Sequence, residues 1–401
     1  MIDYQLHPFK NGKAFIYEES VKNGKGFIGN RICINTKGEK LFELPDVDML
    51  CFWFEYEDVA FVIYKDNVAM INSKGEFLTD FVYDHIYGGI EEGLFEVKRN
   101  KKHGHIDING KEIIPCMYDD GSYFSEGVAA ECLNGKWGII DYFNNTVIPF
   151  DYEETFLCKN NLINAKKNGK YGLINKNNEV VIDFIYDEIS HVCTRECLSY
   201  PAKKDDKWGV IDRYGNVIED FIYDEEEYLS DHDDNIGEFI KLTKDNKCAL
   251  YSTKEKAFLT DFIYENISFI SENKFAVVKD GKTGFVDTIG ELIIPTIYDK
   301  NTVDGFEEGV CVVRKNGQSG VVDMFGNVVI PFEHLRIGEC REGMIRTNKG
   351  FFNRKGELVI PFDSNGYNTT SYFSCGYVDV SSKEYGDVYI DKTGKILELK
   401  F

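Results

Sequence analysis

The stretch NGKWGIIDYFNNTVIPFDYEE, from Asn134 to Glu154, returns thirty-four residues later as NGKYGLINKNNEVVIDFIYDE, from Asn168 to Glu188. The echo extends beyond these two copies. Taking the third residue before each turn Asp, Asn or Ser as an anchor gives Ile32, Ala69, Gly104, Gly138, Gly172, Gly209, Ala249, Gly284, Gly320, Gly350 and Val388. Successive anchors lie 30 to 40 residues apart, a period near 36. A period of this length over almost the whole chain restricts it to an array of like units, each burying its faces against its neighbours.

Each unit reads as three short strands. The first is like GVAAECL (Gly127 to Leu133) and ends in a two-residue turn such as Asn134-Gly135, Asn168-Gly169, Asp280-Gly281 or Asn316-Gly317. Asn, Asp and Gly tolerate the positive φ angles of a type I′ turn, so a tight hairpin is expected. The second strand is like KWGIID and closes on the most regular signal in the chain. There Asp or Asn is followed three residues later by Gly or Asn: Asn35/Gly38, Asn72/Gly75, Asp107/Gly110, Asp141/Asn144, Asn175/Asn178, Asp212/Gly215, Asp287/Gly290, Asp323/Gly326, Asn353/Gly356 and Asp391/Gly394. Ser252/Glu255 breaks the pattern. The first side chain accepts backbone N–H bonds within the turn, and a left-handed residue closes it. The third strand is like NVVIPF and runs into Tyr-Asp or a near variant, as at Tyr118-Asp119, Tyr186-Asp187 and Tyr223-Asp224. Pro115, Pro149, Pro295, Pro331 and Pro361 share one position in it. Proline has no ladder donor, so an edge, bulge or bend is expected there. An acidic-Gly pair often closes the unit, as in FSEG (Phe124 to Gly127) and FEEG (Phe306 to Gly309).

At Lys136-Trp137-Gly138, Lys170-Tyr171-Gly172 and Lys207-Trp208-Gly209, with the downstream Asp-x-x-Gly, Val-Ile-Pro and Tyr-Asp, the chain resembles the WG-repeat family, also called KWG repeats. The likeness covers roughly residues 30 to 401 and is clearest in the middle; the unit at Cys248 to Glu265 has lost the WG itself. The family is widespread in bacteria, and most members have no assigned activity. The resemblance therefore implies repeated β units and binding, and no reaction.

The expected fold is all-β, a tandem array of about eleven three-stranded antiparallel units. An open or partly closed β-superhelix is preferred, because eleven blades exceed the roughly four to eight of a common propeller; a closed propeller-like ring is the alternative. Residues 1–31 are expected to form an N-terminal capping segment, 32–386 the array and 387–401 a C-terminal capping hairpin.

Charge narrows the partners. With 46 basic and 68 acidic residues the chain carries −22. A surface this acidic repels phosphate backbones and anionic lipid heads, so neither nucleic acid nor membrane is expected as a partner. The N-terminus lacks a basic segment followed by an apolar one, and no run of apolar residues is long enough to span a bilayer. Eleven scattered cysteines, several inside apolar strand patterns, fit reduced thiols in a cytoplasm better than a disulfide framework.

Several constellations invite sharper readings. His103, His105 and Asp107 alternate on one strand, as metal ligands could, but His103 holds the repeat's Trp position and Asp107 its turn position. No metal and no cofactor is expected. Cys193 and Cys197 in CTREC lack a second pair or a nearby His. Trp137, Tyr171 and Trp208 are candidates for an aromatic platform for sugars or peptides, against a packing role between units. Asp231, Asp233 and Asp234, in the longest insertion, are candidates for partner contact. The motifs of serine hydrolases, zinc proteases, phosphate loops and dinucleotide folds are missing. A non-enzymatic scaffold presenting an acidic, aromatic-bearing surface to a protein with a basic face is therefore the expected function. A carbohydrate or small-ligand module is the alternative, and a hydrolase ranks last.

Overall fold

The turn chemistry decides the local structure. Asn134, Asn168, Asp280 and Asn316 all adopt φ between 52° and 55°, and the glycine after each is also positive, so each pair closes a tight antiparallel hairpin. The computed structural model describes residues 4–7, 9–22, 25–44, 49–56, 59–157, 161–190, 199–229, 238–300, 305–362 and 366–399. The chain divides into two compact units. Unit 1 comprises residues 1–88, 108–111 and 303–401; unit 2 comprises 89–107 and 112–302.

The protein is all-β. Among the described residues there are eleven antiparallel sheets, nine with four strands and two with three, each following the chain in order from one edge to the other. The expected three-stranded unit is thus corrected to four in most cases. In the sheet Asp120–Gly121, Val128–Leu133, Lys136–Asp141, Thr146–Tyr152, the added lead strand is the short one. It forms because the segment directly after each Tyr-Asp pairs with the next hairpin. Where it has only two to four residues, as in Glu188–Ile189 and Glu225–Tyr228, it is too short to show a periodicity, although His85–Glu91 and Asn266–Ser271 are longer. The boundary expected at residue 31 falls inside the strand Lys25–Asn35 of the first sheet, and that at 387 inside the strand Gly386–Asp391 of the last.

The outer strand explains both the glycine and the proline of the repeat. Trp137 pairs with Tyr152 and Ile139 with Ile148, so Phe150 and its neighbours bulge past Gly138. A Cβ at Gly104, Gly172 or Gly284 would lie 2.6 Å from the carbonyl oxygen of Ile114, Ile182 or Ile294. Pro115, Pro149 and Pro295 sit in that bulge, where a missing N–H costs no ladder bond.

The cores lie between successive sheets. In unit 2, Val128, Ile139 and Ile148 pack on Ile163, Ala165 and Ile174 of the next sheet. Leu173 and Ile182 pack on Ile189, Tyr200 and Ile211, and Val210 and Tyr223 pack on Ile240, Leu242 and Tyr251. In unit 1 the first and last sheets pack on each other: Phe9, Ala14, Ile16 and Ile34 share a buried cluster with Tyr389. The contact repeats the pattern found between successive sheets. A Cβ at Gly75 would meet the ring of Phe42 in the preceding sheet, and one at Gly38 would meet the carbonyl of Glu398. The first and last described sheets therefore pack against each other.

Candidate interaction surface

Most of the polar residues that define the repeat are engaged internally. In four units the Lys of the KWG-type position forms an ion pair with the Asp of the following Tyr-Asp: Lys102 with Asp119, Lys170 with Asp187, Lys207 with Asp224, and Lys282 with Asp299 at 2.9 Å. The same carboxylates reach the next sheet. Asp187 accepts from the amide of Asp205 at 2.8 Å and Asp224 from that of Asp245 at 3.0 Å. These bonds to lysine and to turn amides hold Asp187 and Asp224 below the usual carboxylate range. The tyrosine rings are buried, and Tyr118 and Tyr152 donate to Asn144 and Asn178 one sheet on, at 2.5 and 2.6 Å.

The acidic-Gly loops form a further link. Glu92 accepts from the amide of Gly127, Glu126 from Asn161, Glu308 from Gly343 and Glu342 from Gly376. Cys375 holds the same place in the last sheet, and its sulfur accepts from the amide of Gly12 in the first at 3.2 Å. Much of the acidity is thus structural.

The candidate platform is part of the cores. Trp208 is buried among Val210, Tyr223 and Ile240, while Trp137 and Tyr171 are half-buried against the clusters flanking their sheets. Tyr171 also donates to Glu154 and lies under the Lys166 ammonium, 4.9 Å from its ring centre. Asp231, Asp233, Asp234, Cys193 and Cys197 lie outside the described residues. Among the described residues, no group of three or more His, Cys, Asp or Glu is placed to hold a metal ion. His103 lies 2.6 Å from Glu96, and His105 lies 2.7 Å from Glu131 of the next sheet, all four buried. Burial pushes the Glu131 carboxyl up and the His105 imidazole down. Cys33, Cys132, Cys248, Cys340 and Cys375 form no disulfide, and burial pushes the Cys33 thiol up to about 12.

A groove of about 670 Å³ in unit 1 is lined by His7, Lys10, Arg341, Ser371, Tyr372 and Ser374. Its polar groups are engaged: Arg341 pairs with Glu307 and Glu339, Ser371 donates to Asp379, and Ser374 donates to the Phe9 carbonyl.

What the repeat leaves outward are the turn tips. The second residue after each turn Asp or Asn stands at the apex, and its amide donates to that side chain: Phe143 to Asp141 at 2.9 Å, Tyr214 to Asp212 at 2.8 Å, Ile289 to Asp287 at 3.0 Å and Phe325 to Asp323 at 2.9 Å. A side-chain bond to the fifth residue braces the turn, in two complementary forms. Asn35, Asn72, Asn175 and Asn353 donate to Glu39, Glu76, Glu179 and Glu357, whereas Asn145, Asn216 and Asn327 donate to Asp141, Asp212 and Asp323. The tip side chain takes no part. Phe143 is 85% exposed, Phe325 78%, Ile289 71% and Tyr214 69%. Reading the sequence for repeats passed these residues over because they vary; a large apolar residue at a position otherwise held by Lys or Asn was the available signal.

The family model agrees with the repeat. The pattern of the WG containing repeat matches residues 70–102, 104–137, 137–171, 171–208, 254–282 and 284–318, together about half of the chain. No curated protein matches. Similar solved structures include a eukaryotic initiation factor, 11% identical over 86% of this chain and 96% of that one, with a TM-score of 0.47. Kluyveromyces lactis Hsv2p is 10% identical over 60% and 92%, with a TM-score of 0.34. BamB from Moraxella catarrhalis is 10% identical over 78% and 93%, with a TM-score of 0.32.

Proposed function

The chain belongs to the family of WG-containing repeat proteins, and from that premise we propose that it is a non-enzymatic scaffold, an array of about eleven units that holds a protein partner with a basic face. The observation that carries the reading is the division of labour within each repeat. The repeated residues are spent on joining sheets, while the positions that vary, turn tips and loops, point outward. Loops and tips fixed on a rigid frame are where binding is concentrated. The net charge of −22 selects against nucleic acid and anionic lipid and favours a basic protein surface. The buried free thiols support a reducing compartment such as the cytoplasm.

Reconstitution tests the proposal. A partner isolated on the full chain is purified, and its association rate is measured at low salt and at roughly 0.15 M. The rate is expected to fall about tenfold or more, as steering by exposed carboxylates is screened. A rate indifferent to salt, or tight binding of duplex DNA at physiological salt, overturns the reading.

A further inference from the structure

Phe143, Tyr214 and Ile289 belong to alternate members of five successive sheets in unit 2. The intervening tips are polar, Asn177 in one sheet and the Lys254 turn in the other. Each apolar tip stands on a turn whose geometry is set by backbone amides and an Asp, independent of the tip side chain. Turns built the same way elsewhere carry Phe325 in unit 1 but also Lys37, Lys74, Asn109, Lys355 and Thr393, so folding imposes no apolar residue there. A phenylalanine at 85% exposure forgoes nearly all the burial its side chain can gain. That gain is available only in a complex. The tips are also held firm in advance, which limits the entropy lost on contact.

We propose that Phe143, Tyr214 and Ile289 are docking knobs that enter apolar sockets of a protein partner, the sockets being rimmed by Lys or Arg that face the turn carboxylates. The inference rests on the scaffold reading and names its contact residues. Charge complementarity selects this occupant. Asp141, Asp212 and Asp287 sit at the base of the three tips, and bonds from Asn145 hold Asp141 ionised well below the usual carboxylate range. A second copy of a chain at −22 is repelled from such a surface, as is an anionic bilayer.

The experiment places a photoreactive benzoylphenylalanine at 143, 214 or 289 in the full chain, expressed in its source cell. All three positions are expected to give one heterologous adduct of the same mass. The protein identified is then purified and its Kd measured against Phe143→Ser, Tyr214→Ser, Ile289→Ser, the triple variant and Asn177→Ser. Each knob variant is expected to weaken binding about tenfold and the triple at least about a hundredfold, with Asn177→Ser unchanged. An adduct of twice the chain mass assigns the knobs to self-association and overturns the proposal. Co-sedimentation with phosphatidylcholine vesicles that the triple variant loses assigns them to a lipid surface and does the same. A reconstituted partner that binds the triple variant as well as wild type overturns the knobs and leaves the scaffold standing. Failure of any protein to reconstitute overturns both.

Discussion

In the sheet that carries Gly209, the outer strand Val217–Tyr223 follows the second strand along its length and bulges past the glycine. In the next sheet Ala249 holds that place, and the outer strand shrinks to Ala257–Phe258 with a separate bridge from Cys248 to Tyr264. One methyl group separates the two positions. A Cβ at Gly209 would lie 2.8 Å from the Glu219 carbonyl oxygen, so an alanine requires the opposing backbone to leave. Something must then satisfy the amide left behind. Thr260 does so, its Oγ1 accepting from Leu250 at 2.9 Å. The Ala69 sheet of unit 1 gives the same answer, with Thr79 accepting from Met70 at 2.9 Å. Both sheets carry the segment Phe-Leu-Thr-Asp-Phe, at 77–81 and 258–262. The loss of the WG glycine is therefore not simple decay of the repeat. It is a second, self-consistent way to finish the sheet.

The largest effect expected from this comparison comes from exchanging the anchors. Gly209→Ala keeps an outer strand built for glycine and should cost about 3 kcal/mol in a denaturant titration. Ala249→Gly, where no backbone approaches, should cost about 1 kcal/mol or less. Equal losses would show that the close approach does not set the two forms apart.

The lead strands of the same two sheets offer the next test. Glu226 occupies the position at which the preceding sheet buries Ile189. Burial, and secondarily the neighbouring Glu188 and Glu227, push its carboxyl up to about 7, against the bond donated by Ser190. The unfolded group ionises near 4.5, so between these values the folded state holds a proton that the unfolded state has lost. Stability must then fall as pH rises from about 4.5 to 7 and level off above, by roughly 2–3 kcal/mol from this group. Glu226→Leu is expected to recover that stability at neutral pH and to flatten the profile in this window. Melts whose pH dependence matches wild type would sink the assignment.

Thr260→Val should cost about 1–2 kcal/mol, because it leaves the Leu250 amide without its acceptor while conserving volume. Adding Ala249→Gly should not restore the loss, since the missing group is an acceptor and not space; rescue by the double variant would break the account. The smallest effect is expected at Gly215. Tyr118 and Tyr152 each find an Asn in the turn one sheet on, while glycine holds that turn position in the sheet after Tyr186. A Cβ here meets only Ile182, at 3.6 Å, whereas one at Gly290 would meet the Leu259 carbonyl at 2.1 Å. Gly215→Asn should be neutral or stabilising by up to about 1 kcal/mol, and Gly290→Asn clearly destabilising by the same thermal melt.

Some of this was legible in the residues alone. The period, the hairpins, the Asx turns and the bulge at proline follow from local backbone preferences, which act over a few residues and leave the same mark in every copy. The KWG lysine and the Tyr-Asp pair were visible as repeats, though not as partners, because they meet across seventeen residues, within a sheet and then between sheets. The turn tips were hidden by the same logic: what varies cannot be found by looking for what recurs. Only tertiary structure decided that a fourth strand joins most sheets, that Trp137, Tyr171 and Trp208 are part of the cores, and that the first and last sheets of the chain partner each other. Such contacts are settled by how successive sheets stack, which depends on packing summed over many side chains rather than on any local preference of the backbone.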